Sequence, residues 1–544
     1  MAFAVAGGVL AGGATVGTAR SPREPSSSFS QAFRFYEPTI PRNDFQERQK
    51  HGAMRFLVFP PALASPNAVR RAYFSGPDRF LWQCKTEATD EGLLVKREMT
   101  DSGYFSIPWN VRGRGERTLT TSWLMERDRP YLLQVELARG KLQEVRNQLI
   151  EWQSIGLSPP PELEQQVSRA VRQFLLAATS QHDPETAAQH AEQAIVMIVD
   201  AADMLGSCYC QQALAARTRQ SSKLDTQLGV VLGDAPMSPE VAKQVRRCFN
   251  TVCAPINWRE IEAHEGEFCW QSCDHQLAWG RENASHVVAG PLISFDEARM
   301  PDWLCLWEGD FDNLASCIAE FVSTTVKRNC GKFDLWHCAA RVNTGDALSL
   351  TAEQRLKLAV LVVNLTQTHD PNTPAIISFD QPWAEYMNQQ DVDPPLYVAD
   401  TLIRAGLGIS GVGLEINVGY DPGGSYPRDL LEFSQLIDRW SLLNVPLYLM
   451  LTCPSSDAED PRALRKAQPQ AILNENGCTL EGQQQWVERF LPLMLAKPYI
   501  RGVLWNQLSD AEPHGFAHGG VLDAGDQPKP ALSVLASLRR KYLE

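Results

Sequence analysis

Residues 499–532, YIRGVLWNQLSDAEPHGFAHGGVLDAGDQPKPAL, decide the fold. The apolar run over 500–504 reads as a strand that ends at Trp505. A polar loop follows, with Asn506, Asp510, Glu512, His514 and His518. The chain then passes Gly519 and Gly520 and enters a last helix through Pro528, Lys529, Pro530 and Ala531. A strand that ends in an aromatic and empties into carboxylates and histidines is how a (β/α)8 barrel builds its mouth.

Working back from that segment, strand, loop and helix alternate from about residue 228 onward. The patterning predicts strands at 251–253, 287–290, 335–339, 375–379, 411–416, 447–451 and 502–505. Helical runs lie between them at 313–326, 351–367, 397–405, 428–443 and 480–495. Alternation over about 300 residues argues a parallel sheet closed into a barrel, spanning 226–544. No glycine-rich phosphate fingerprint follows any strand, which counts against a nucleotide site, and no cofactor is expected.

The 499–532 segment resembles the final strand, loop and helix of family 10 glycoside hydrolases, the xylanase family. There a Trp closes the sugar pocket and the closing helix begins with a similar Lys-Pro-Ala. The resemblance covers about residues 249–540. Phe249 and Asn250 followed by Trp258, Glu262 and Gly266 resemble the family's first-strand block, and Phe268 and Asp274 continue it. The family's Glu-Asn and Lys, which hold the sugar, are missing, and Asn257 stands where the Lys would be. Pro291-Leu292 stands in place of the family's His-Leu, and Pro301 and Trp303 match the Pro-x-Trp after the second strand.

The family's fourth strand reads Trp-Asp-Val-Val-Asn-Glu, the Glu being the acid/base. This chain reads Trp336-His337-Cys338-Ala339-Ala340-Arg341, so the resemblance puts Arg341 at the acid/base position. A guanidinium that is always protonated cannot give a proton to a leaving oxygen. The sixth strand, Gly411-Val412-Gly413-Leu414-Glu415-Ile416-Asn417, resembles Gly-Ile-Gly-Phe-Gln-Ser-His, with Glu415 for the Gln and Asn417 for the His. The nucleophile's Thr-Glu-Leu-Asp string belongs to the seventh strand, where 445–453 places Leu451 at the nucleophile. On this register both catalytic glutamates of the family are replaced.

Retaining glycoside hydrolysis needs two carboxyl groups about 5–5.5 Å apart, and inversion about 6.5–9.5 Å. Other acids stand near the rim. Asp380 ends the fifth strand, with Trp383, Glu385 and Tyr386 beyond it; Glu415 ends the sixth, and Asp510 and His514 follow the eighth. The expectation is a relocated pair, Asp380 and Glu415, acting on a β-linked oligo- or polysaccharide. Trp383, Trp505, Asn506, Asp510, Asn417, Arg341 and His514 would line the pocket.

In the competing reading Asp380 and Glu415 pair with Arg341 as a buried ion network in a retired pocket. Such a barrel would bind carbohydrate without cleaving it, or serve as an interaction scaffold. His337 reads as a core histidine. His264, His514 and His518 have no metal-site spacing, and no metal is expected.

Ahead of the barrel, residues 54–128 show short strands at 55–59, 79–85, 92–98, 103–111 and 118–124, a small β-sandwich that suits carbohydrate binding or plain packing. Residues 129–225 change to helical period and read as a hairpin of two or three long helices. Residues 1–53 are Ala/Gly-rich, then Ser-, Pro- and Arg-rich, and read as a disordered leader or a poor export signal.

A net charge of −13 disfavours nucleic acid as a partner. No run outside the N-terminus approaches the roughly 18 apolar residues of a membrane span, so no membrane partner is expected. Thirteen mostly single cysteines read as reduced, buried thiols and so as a cytoplasmic protein, with secretion as the alternative.

Overall fold

The computed structural model describes residues 52–98, 100–388, 392–469 and 477–544. Of the expected leader, residues 1–51 lie outside the described residues. Gly52 and Ala53 already belong to a strand, Gly52–Leu57.

Eight parallel strands close into a barrel: β1 (Gln227–Val231), β2 (Thr251–Ala254), β3 (His286–Ala289), β4 (Leu335–Ala340), β5 (Ala375–Asp380), β6 (Ile409–Asn417), β7 (Leu447–Thr452) and β8 (Ile500–Trp505). Each pairs with the next, β3 with β4 across the crossover, and β8 returns to β1. Sequence patterning leaves out β1, so the block at Phe249 and Asn250 leads into the second strand, not the first, and Pro301 and Trp303 follow the third.

The strands read as apolar because both faces are buried. Cys253, Val288, Ile376, Tyr448, Met450 and Leu504 fill the interior. Val252, Val287, Trp336, Ile377, Leu414, Leu449 and Val503 alternate outward against the helices. The large interior residues need small neighbours. A Cβ on Gly229 would lie 2.6 Å from Leu504 Cδ2, so β1 keeps a glycine where Leu504 crosses it.

Before the barrel, two four-stranded sheets share one core, with Phe56 stacked on Phe105 at 4.8 Å. Three helices follow: α1 (Leu133–Ser154), α2 (Pro161–Thr179) and α3 (Pro184–Gln220). The Asp183 side chain caps α3 by accepting from Thr186 N. By length and apolar composition α3 could cross a membrane, but its Ala191, Ile195, Ile198 and Val199 are buried against the other helices and the sheets.

Charges weld these parts to the barrel helix α4 (Leu430–Trp440). Lys141 of α1 is buried and lies 2.5 Å from Asp429 Oδ2, at the N-cap of α4, and 2.8 Å from Glu144 Oε2. Leu431 of α4 joins the core of the helices and sheets, and Thr118 N donates to Pro427 O at 2.9 Å.

Candidate site at the C-terminal mouth of the barrel

Strand parity sends every second side chain inward, and at the C-terminal ends the inward residues turn polar. His337, Ser378, Asp380, Glu415, Asn417, Thr452 and Asn506 share this face. Above the apolar interior the mouth holds a cavity of about 550 Å³. That is the size of a small-ligand site.

Glu415 lines this cavity. It lies level with Asp380 of β5 on one side and Met450 of β7 on the other. Its Oε1 accepts a hydrogen bond from Ser378 Oγ at 2.6 Å. Burial first, and the neighbouring Asp380 second, push its pKa up to about 7, while Arg341 and Ser378 pull the other way.

Asp380 does not reach the cavity. It has no solvent exposure. Its Oδ2 accepts from Arg341 Nη2 at 2.6 Å and Thr344 Oγ1 at 3.1 Å, and its Oδ1 from Asn417 Nδ2 at 3.2 Å. Asn343 brackets its backbone with two more bonds, at 2.8 and 3.0 Å. Of the expected pair of catalytic carboxyls, one faces the cavity and the other is a clamped ion behind it.

Arg341 is the clamp. It is the first residue past β4 and has φ 58°, a left-handed turn uncommon outside glycine. Gln381, at the same place after β5, has φ 45°. Besides Asp380, Arg341 reaches Asp296 Oδ2 at 3.4 Å, and Arg465 pairs with the same oxygen. Burial opposes the guanidinium charge, but Asp380 and Asp296 outweigh it and hold the group above its ordinary range. Arg341, Asp296 and Arg465 all line the cavity.

Asn506 lines the cavity and donates to Asn417 Oδ1 at 3.4 Å and Thr452 Oγ1 at 3.3 Å. Asn417 is fully buried beneath it. His514 forms part of the wall, with Nδ1 on Glu512 O at 2.8 Å and Nε2 on Asp460 Oδ2 at 2.9 Å.

Three other expected residues stand elsewhere. Trp505 is one residue past inward-facing Leu504 and so points outward, its indole N–H donating to Gly519 O at 2.9 Å. Trp383 is buried edge-on to Phe433, with ring centroids 6.0 Å apart. Asp510 is an internal anchor: it lies 2.5 Å from Lys529 Nζ at the head of α5 (Pro530–Tyr542) and accepts from Gly520 N at 2.7 Å. Leu451 also faces outward, into the shell of helices, so the inward residue beside Glu415 on β7 is Met450.

Sequence reasoning missed His337, Ser378, Asp296 and Arg465. His337 lines the cavity, its Nε2 lies 2.9 Å from Ser378 Oγ, and burial pushes its pKa down to about 4. The signal for Ser378 was present, since it stands two residues before Asp380 and shares its face. Asp296 and Arg465 sit on loops and had no such signal. Among the described residues no group of three or more His, Cys, Asp or Glu could hold a metal ion.

No family model matches the chain. No curated protein matches it either. Solved structures of similar fold include native xylanase 10B from Thermotoga maritima, with 14% identity and a TM-score of 0.45 over 59% of this chain and 97% of that one. Xylanase XynB from Paenibacillus barcinonensis, complexed with a conduramine derivative, is 18% identical, with a TM-score of 0.43 over 59% and 97%. A GH10 endoxylanase from a sugarcane soil metagenome is 16% identical, with a TM-score of 0.44 over 58% and 97%. Likenesses at this level carry no residue assignments, and the barrel stands on its own closed strand order.

Proposed function

We propose that the protein hydrolyses O-glycosyl bonds in a β-linked oligo- or polysaccharide, with Glu415 as the proton-transferring carboxyl. One observation carries this reading: Glu415 lines the mouth cavity with its pKa pushed up to about 7. A carboxyl in that range exchanges protons at neutral pH, as acid/base catalysis requires. Asp380 serves from behind as the charge that favours the protonated form of Glu415. The second carboxyl that hydrolysis needs is Asp296, which faces the same cavity between Arg341 and Arg465. The replacement of the family glutamates, by Arg341 on β4 and on β7 by inward-facing Met450 instead of Leu451, belongs to this proposal.

A second reading, sugar binding without cleavage, is favoured by a specific observation. The oxygens of Asp380 are taken up by Arg341, Thr344 and Asn417, and Asp296 is held by two arginines. The test is hydrolysis and binding of aryl β-glycosides and of xylo- and gluco-oligosaccharides by the wild type, Glu415→Gln and Asp296→Asn. Turnover lost in both variants supports the hydrolase. Binding without turnover in the wild type supports the second reading, and neither binding nor turnover overturns both.

A further inference from the structure

A second cavity, of about 500 Å³, lies where sheets, helices and barrel meet, and it shares no lining residue with the mouth. Its walls come from the hairpin of strands Tyr104–Val111 and Gly115–Thr120, from the long helix α3 and from the barrel helix Leu480–Ala496. The hairpin brings Arg114 and Arg117, α3 brings Asp200 and Asp203, and the barrel helix brings Arg489.

Among the described residues these walls carry three guanidiniums and two carboxylates, an excess of one positive charge in a chain of net charge −13. Two of the arginines stand at the rim. Arg114 Nε lies 2.5 Å from Asp200 Oδ1 and Arg489 Nη2 lies 2.5 Å from Asp203 Oδ2, with the two arginine side chains 42% and 34% exposed. Arg117 is the deep one, 3% exposed, its Nη1 donating to Glu116 O at 2.7 Å. The acids that favour its charge, Asp203 and Asp429, are shared with other cations, Asp203 with Arg489 and Asp429 with Lys141 at 2.5 Å. Burial first, with Arg489 and Arg114 as like charges beside it, brings this guanidinium down to about 10. Arg341 at the mouth, facing two aspartates of its own, is held above its ordinary range instead.

Arginines that served packing alone would be matched by acids, because a buried charge that is only partly compensated is costly. Here the surplus charge faces a hollow, and an oxyanion in that hollow would complete the balance. We propose that this cavity binds a small solute through an oxyanion, phosphoryl or carboxylate, whose oxygens accept from Arg114, Arg117 and Arg489. Guanidiniums present planar forks of donors that match such groups. The cavity is the size of a small-molecule site, so the solute extends beyond the anionic group, along Gln166 and Met204. The inference is independent of the sugar chemistry at the mouth.

Calorimetric titration of the full chain with inorganic phosphate, glucose 6-phosphate and glucuronate tests this. Binding of the two phosphates but not glucuronate assigns a phosphoryl group, and binding of glucuronate alone assigns a carboxylate. In either case affinity is expected to weaken about tenfold in Arg489→Gln, the loss of one charge-assisted hydrogen bond. It should tighten in Asp200→Asn, which releases Arg114 to the solute, a gain that a packing network does not produce. Arg117→Met should abolish binding; if that variant does not fold, the two rim variants decide. The proposal is overturned if none of the three anions binds, or if affinity is unchanged in both Arg489→Gln and Asp200→Asn. Affinity that falls in Arg465→Gln and not in Arg489→Gln places the anion at the mouth and overturns it too.

Discussion

Asp380 and Glu415 are lateral neighbours across β5 and β6, yet only Glu415 opens onto the cavity. Register alone makes them a pair of rim carboxyls. Their partners separate them: Asp380 is spent on Arg341, Thr344 and Asn417, while Glu415 keeps one oxygen for the cavity.

Glu415→Gln is expected to lower glycoside hydrolysis by about 100- to 10,000-fold, the usual contribution of an acid/base group. The wild-type rate should fall as pH rises through about 7, where Glu415 gives up its proton. The residual rate of the variant should lack that limb. A wild-type rate that still climbs at pH 8 would remove Glu415 as the acid.

Arg341→Met leaves Asp380 and Asp296 short of a partner in a buried setting. Urea denaturation should show a loss of about 3–5 kcal/mol, the cost of breaking a buried pair from one side. Adding Asp380→Asn should recover part of that loss, a coupling that a double-mutant cycle measures. The Glu415 pKa should rise further in Arg341→Met, because the guanidinium pulls it down.

Trp505→Phe is expected to leave sugar affinity unchanged and to cost about 1–3 kcal/mol of stability, because Gly519 O loses its buried donor. Trp383→Phe should likewise act on stability alone. Calorimetric titration and thermal denaturation together check both. A tenfold loss of affinity at unchanged Tm would place either ring at the sugar.

Glu192 on α3 makes a pH-dependent contribution far from the mouth. Burial pushes its pKa up to about 7, against the bond that Trp109 Nε1 donates at 3.1 Å. Its folded value exceeds the unfolded value of about 4.3. Its contribution is therefore complete below about pH 4 and is lost as pH rises through about 7. Glu192→Gln should melt above the wild type at pH 8, and that advantage should shrink towards pH 4.

The barrel was legible because strands buried on both faces and helices of 3.6 period leave different apolar patterns. β1 escaped because QLGVV is short and carries Gly229, which reads as a break and is in fact the space that Leu504 occupies. At the site, residue type was legible and direction less so. Glu415 and Asn506 stand where their parity puts them. Trp505 and Leu451 were assigned to the pocket by chemistry or register, although each is one residue off the inward face of its strand. Arg341 could be named from sequence, but its left-handed turn depends on the loop that carries it. Asp296 and Arg465 meet it from segments far apart in the chain, and no local pattern records such a meeting.

The buried Lys141–Asp429 contact bears on how this chain can be inherited. A barrel cut free at residue 226 would strand the Asp429 carboxylate without its counter-ion and bare Leu431 to water. Residues 52–225 are thus no detachable accessory that recombination could shuffle onto another barrel. They are a fitted half of one heritable unit, and changes at Lys141 and Asp429 should be tolerated only together.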